Sequence, residues 1–201
     1  MVNLPLQVLR KNITRLRKIL IITYYWPPSG GPGVQRVLKF CKYLKGTDWK
    51  PIILTVENGD FPVFDQTLEK DVDRYEIYKS KAYSFHKIFN FFNRNSTTPT
   101  FQLSSAKQDG FLIKLFRWIR LNMVIPDGRL GWYFDSINIG KKIFGENNID
   151  AIFSSAPPYT THLIAKNLAL LNNLPWIADF RDPWTDRFYN LSLIHISEPT
   201  R

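Results

Sequence analysis

At 201 residues, 44% hydrophobic and 15% aromatic, the chain is long enough to bury one core and too apolar to be intrinsically disordered. Its formal charge of +10 is uneven: residues 1–18 hold five Lys or Arg and no acid, residues 79–120 hold eight against one Asp, and the remainder is slightly acidic. The excess charge therefore belongs to two segments and not to the fold as a whole.

No apolar run approaches the roughly 20 residues that cross a bilayer. Pro5 and Gln7 break the apolar content of the N-terminus and no small-residue cleavage site follows, so no secretion signal is expected. A single cysteine, Cys41, excludes a disulfide framework or a cysteine metal site. A cytoplasmic location is expected, and the sequons at Asn12, Asn95 and Asn190 then read as chance matches.

In chain order, residues 1–17 read as a basic extension, either an arm or a misplaced start. Lys18 to Tyr25 forms the first β-type run and passes into "TYYWPPSGGPGVQR". Val34, Val37, Leu38, Cys41 and Leu44 then recur at helix spacing. Lys50 to Val56 is a second strand, and Glu76 to Tyr78 a weaker one. Residues 83–135 interrupt the rhythm as a helical and loop insertion, first aromatic and basic, then Ser, Thr and Pro rich. Within it "FLIKLFRWIRL" sets Phe111, Leu112, Leu115, Phe116, Trp118 and Ile119 on one helix face, with Lys114, Arg117 and Arg120 on the other. Asp150 to Ser155 and Pro175 to Phe180 complete the strands, with Ile164, Leu168 and Leu171 helical between them. Strands alternating with helices, the strands nearly all apolar, predict an α/β fold with a parallel sheet covered on both faces.

Three glycines, Gly30, Gly31 and Gly33, stand between the first strand and the first helix. At that place a helix N-terminus offers unpaired N–H groups, and glycine lets backbone approach a phosphate. The alternative is a turn that merely needs positive φ. A dinucleotide fingerprint is excluded, because G-x-G-x-x-G is absent and the loop is long and proline rich.

Taken together, "KILIITYYWPPSGGPGVQRVLKF", "WKPIILT", "IPDGRLGWY", "IDAIFSSAPPYTTHLIA" and "LPWIADFRDPWTD" resemble, in order, the N-terminal domain of bacterial family 4 glycosyltransferases of GT-B architecture. The resemblance covers residues 18–190. It implies a Rossmann-like acceptor-side lobe, a donor-side lobe missing from this chain, and a retaining transferase that uses a nucleotide sugar. Its acceptor would be a glycan or lipid-linked group in cell-surface polysaccharide synthesis, and neither cofactor nor metal is implied. Gly30, Gly31, Gly33 and Arg36 would then meet the donor diphosphate. Arg181 and Asp182 would take the catalytic positions, although many members carry histidine where this chain has Arg181. Tyr159, His162, Asp179 and Trp184 would face the acceptor. Structural alternatives stand beside these roles: Arg181 and Asp182 would pair only with each other, His162 would be a packing residue, and Asp127 and Arg129 would serve a turn and a salt bridge. Pro158 suits a first helical turn, with Thr160 or Thr161 as its cap.

The tail "LSLIHISEPTR", residues 191–201, matches at all eleven positions the in-frame translation of a transposase-type sequencing adapter. It is expected to be non-native, with the natural frame interrupted near Asn190, and the fragment alone is expected to be inactive. The basic amphipathic segment 111–121 either rests on an anionic membrane surface or packs its apolar face on the sheet. Two rival functions share some of these features. A nucleic-acid-binding domain would use the basic segments but lacks the usual motifs. A nicotinamide oxidoreductase would share the sheet but needs a tighter glycine turn, although Glu57 lies near the acidic position that such enzymes use.

Overall fold

Leu20, Ile21 and Ile22 are each at most 1% exposed, because the strand they occupy has neighbours on both edges and helices on both faces. That strand, β1 (Arg17–Thr23), pairs in parallel with β2 (Trp49–Val56) on one side and β4 (Ala151–Ala156) on the other. β3 (Glu76–Ser80) lies outside β2, and β5 (Trp176–Phe180) outside β4. The sheet is all parallel, in the order β3-β2-β1-β4-β5, a Rossmann-like arrangement. The computed structural model describes residues 15–44, 46–83 and 126–182. The amphipathic segment 111–121, Trp184, the tail 191–201 and nearly all of the N-terminal extension lie outside them.

Alternation along each strand divides the core in two. Ile21 and Ile53 point to helix α1 (Pro32–Leu44) and meet Val34, Val37, Leu38 and Cys41. Leu20, Ile22, Ile52, Leu54 and Ile152 point the other way, toward helices α2 (Tyr133–Glu146) and α3 (Thr160–Asn172). Burial pushes the Cys41 thiol up to about 12, which keeps it protonated and makes it a packing residue.

Local chemistry sets the helix ends. Pro32 opens α1, where its missing N–H costs nothing and its fixed φ suits the first turn. Asn173 closes α3 in the left-handed region (φ 49°), its N–H bonded to the Ala169 carbonyl, and Pro175 follows shortly after.

All five predicted strands form, with ends shifted by one or two residues. Helix α2 has no counterpart in the sequence reading, which placed only its first residues, 133–135, at the end of the helical and loop insertion. Its buried face includes Ser136 and Gly140 beside Ile137 and Ile143, so its apolar stripe is thin. Ser136 is buried because Ser80 Oγ lies 2.9 Å from its hydroxyl, and Ser80 Oγ also accepts from Trp132 Nε1 at 2.8 Å.

Candidate functional site

Strand order reverses between β1 and β4, so the connections leaving these two strands diverge to opposite faces at their carboxyl ends, the place where open α/β sheets form a ligand crevice. The glycine loop leaves β1 on that side. A second loop ties it down: Gly30 N donates to the Val63 carbonyl and Asp65 N to the Pro28 carbonyl, both at 2.8 Å. Ser29 and Phe64 form an antiparallel bridge between these bonds.

The three glycines differ. Gly30 was expected to offer its amide to a phosphate, but that N–H is engaged by Val63, so Gly30 serves the loop. A Cβ at Gly30 would also lie 3.1 Å from Val63 and Asp65 side-chain atoms. Gly31 has φ +103° and open space where a Cβ would stand. The Gly31 and Gly33 amides meet no backbone acceptor among the described residues, as first-turn geometry dictates.

At Gly33 a Cβ would fall 2.0 Å from Nη1 of Arg181. The guanidinium at the end of β5 therefore lies directly against the N-terminus of α1. Two positive features converge there, a cation and the positive end of a helix dipole. Arg181 pairs with the Asp182 carboxylate through one contact of 3.3 Å, with the two side chains 31% and 39% exposed. The pairing anticipated between these neighbours is present.

Arg36 and Asp179 face each other across α1 and β5. Nε and Nη2 of Arg36 donate to the two oxygens of Asp179 at 3.1 and 2.8 Å, and Ser155 Oγ donates to Asp179 Oδ2 at 2.9 Å. The carboxylate is 14% exposed and three donors reach it, so Arg36 works here as its counter-ion. Sequence reading had put Arg36 on a phosphate and Asp179 on an acceptor; the structure joins them to each other.

His162 is buried (6% exposed). Its Nδ1 is 2.8 Å from Ser154 Oγ, which also accepts from Trp176 Nε1, and its ring centroid is 4.3 Å from that of Phe180. Burial lowers its pKa, with the charge of Asp179 acting in the opposite direction. Tyr159 donates its hydroxyl proton to the Asp182 carbonyl at 2.7 Å and stacks on Phe180, which holds the end of β5 against α3. Trp184 lies outside the described residues.

Asp127 has a role that the sequence reading did not assign. Its two oxygens accept from the backbone N–H and the hydroxyl of Thr160, each at 2.8 Å, so the N-terminus of α3 is capped from a distant loop and not by Thr160 or Thr161. Asp127 also accepts from Arg129 N at 2.8 Å, and Arg129 pairs with Asp60 at 3.1 Å. The turn and salt-bridge reading of these two residues is present. Ser155 was likewise missed, because a serine inside a strand carries no signal until its neighbours on the sheet are known.

Among the described residues no cluster of three or more His, Cys, Asp or Glu is placed to hold a metal ion, and no helix is long and apolar enough to cross a membrane. A groove of about 490 Å³ opens between α2 and α3, lined by Leu130, Tyr133, Phe134, Leu163, Lys166 and Leu170 among others. None of the candidate site residues lines it.

No protein-family model and no curated protein matches the chain. Among solved structures it is similar to the C-terminal domain of a hydrogenase from Pyrococcus furiosus. Two crystal structures of that domain align at 14% identity and a TM-score of 0.41, covering 83% and 82% of this chain and 93% and 92% of theirs. A likeness at that level does not bear on function.

Proposed function

We propose that this domain is the acceptor-side lobe of a nucleotide-sugar-dependent glycosyltransferase, and that the crevice between β1 and β4 receives the donor diphosphate. The observation that carries this reading is the guanidinium of Arg181 lying over Gly33 at the N-terminus of α1, where a cation paired with Asp182 meets the positive end of a helix dipole and together they favour an anion. As the glycosidic bond breaks, a nucleoside diphosphate leaving group gains negative charge. Arg181 and the Gly31 and Gly33 amides would stabilise it, and these donors need little reorganisation to do so. Asp182 would steady Arg181, while Arg36 and Ser155 hold Asp179 at the rim. On this reading most donor contacts belong to a second lobe, so the chain alone binds weakly and transfers nothing, and the acceptor is a glycan or lipid-linked group at a cytoplasmic membrane face.

Calorimetry with a nucleoside diphosphate, a nicotinamide dinucleotide and a mixed-sequence oligonucleotide separates this reading from its rivals. A dissociation constant on the order of 1 mM is expected for the diphosphate, weakened about tenfold by Arg181→Ala. Tighter binding of the dinucleotide would favour a nicotinamide oxidoreductase. Tight, salt-dependent binding of the oligonucleotide would favour a nucleic-acid domain.

A further inference from the structure

Two tyrosines follow β1 in succession, and the fold treats them differently. Tyr24 is 1% exposed; its hydroxyl accepts from Asp60 N at 3.3 Å, and the Arg129 guanidinium lies 5.2 Å from its ring. It is a core residue with its polar atom satisfied. Tyr25 is half-buried, edge-on to Tyr24 with centroids 5.1 Å apart and tilted on Phe61 at 6.4 Å. It packs against both core clusters, so it sits at the carboxyl edge of the sheet where the two layers meet.

The Tyr25 ring is thus fixed by packing, yet its hydroxyl has no hydrogen-bond partner among the described residues. Nor is that oxygen among the polar atoms sealed from solvent without a partner. The charges that act on it are Arg129 and Asp127 in the loop before α2, Asp60 in the loop after β2, and Arg181, the residue that lies over Gly33. Burial is the largest influence and raises its pKa, so at neutral pH the phenol keeps its proton and can donate it. A phenol held by its ring and open at its tip keeps a donor free for a ligand, with little further side-chain entropy to lose on binding. Among the described residues none accepts from it, whereas Tyr24 has a partner in Asp60 N.

We propose that Tyr25 is a ligand-contacting residue of the crevice, its hydroxyl donating a hydrogen bond to an oxygen of the bound diphosphate. The inference rests on the phosphate-site reading above and extends it to a residue between the end of β1 and the glycine loop. It makes the site three-sided, with α1 amides, the β5 guanidinium and the β1 phenol.

The test uses inorganic pyrophosphate and the intact chain, with binding followed by calorimetry and by carbon NMR of labelled tyrosines. Tyr25→Phe should weaken pyrophosphate binding about tenfold, as loss of a donor to an anion does, with its unfolding temperature unchanged because no internal bond is removed. In wild-type protein labelled at tyrosine Cζ, the Tyr25 resonance should move on saturation while that of Tyr24 stays. If Arg181→Ala weakens binding and Tyr25→Phe does not, the Tyr25 contact is wrong and the phosphate site stands. If Tyr25→Phe affects only nucleotide sugars and not pyrophosphate, the phenol contacts a sugar and the proposal is overturned. If wild-type protein ignores pyrophosphate, both readings fall. Should Tyr25→Phe not fold, the Cζ shift decides alone: movement supports the contact and a static resonance refutes it.

Discussion

Gly33 and Arg181 depend on each other, although 148 positions separate them in sequence. Gly33→Ala places a methyl group on the tip of a flexible side chain, so the guanidinium swings away while the backbone stays. Because alanine favours a helix over glycine by about 1 kcal/mol, stability should hold or rise slightly in urea unfolding. Diphosphate binding should nevertheless fall as far as in Arg181→Ala, and the double variant should lose nothing further. Additive losses would mean that Gly33 acts independently of Arg181. His162 gives a second test at this scale. Its folded pKa lies below the ordinary value of 6.5, so the unfolded chain takes up the proton first. The stability that neutral His162 contributes is complete above about pH 6.5 and is lost as pH falls toward the depressed folded value. Urea midpoints measured from pH 7.5 downward should show this slope, and His162→Phe should flatten it; an unaltered slope would assign it to other groups. The glycines and Arg181 were visible in sequence as residue types at strand ends. What was hidden is which amide is already bonded, since the Val63 carbonyl that engages Gly30 comes from another loop.

Where the chain passes from β3 to α2, elements fit with almost no clearance. A Cβ at Gly131 would fall 1.8 Å from the Tyr83 carbonyl oxygen, a backbone atom that cannot swing aside. Gly131→Ala should therefore destabilise the protein by about 3 kcal/mol or more, read as a lowered urea midpoint. A loss below about 0.5 kcal/mol would show that this junction shifts freely. The N-terminus of α3 makes a complementary case. Asp127→Ala removes two bonds to Thr160 and should cost about 1–2 kcal/mol, while Thr161→Ala, whose hydroxyl has no partner among the described residues, should cost much less. Equal effects would contradict a cap supplied from the distant loop. Strands were readable because doubly covered parallel strands are runs of Ile, Leu and Val. Helix α2 was not, because its inward face includes a serine and a glycine whose burial makes sense only beside Ser80 and Leu168.

At the scale of the whole molecule, alternating strands and helices were enough to expect a parallel α/β sheet. The order β3-β2-β1-β4-β5 adds what patterning does not contain, the reversal between β1 and β4 that places the crevice. It brings the glycine loop, Tyr25 and the end of β5 to one edge, and it sends Arg36 to Asp179, residues that looked like separate ligand contacts in sequence. The central claim is that the α1 amides beside Arg181 receive a diphosphate. Gly30 provides an internal control, because its N–H is already bonded to Val63. The most direct measurement is an amide NMR titration of the intact chain with a nucleoside diphosphate. The Gly31 and Gly33 resonances should move furthest and saturate together, with Gly30 moving less. If Gly31 and Gly33 stay in place, or shift no more than amides elsewhere on the surface, the crevice is not a phosphate site.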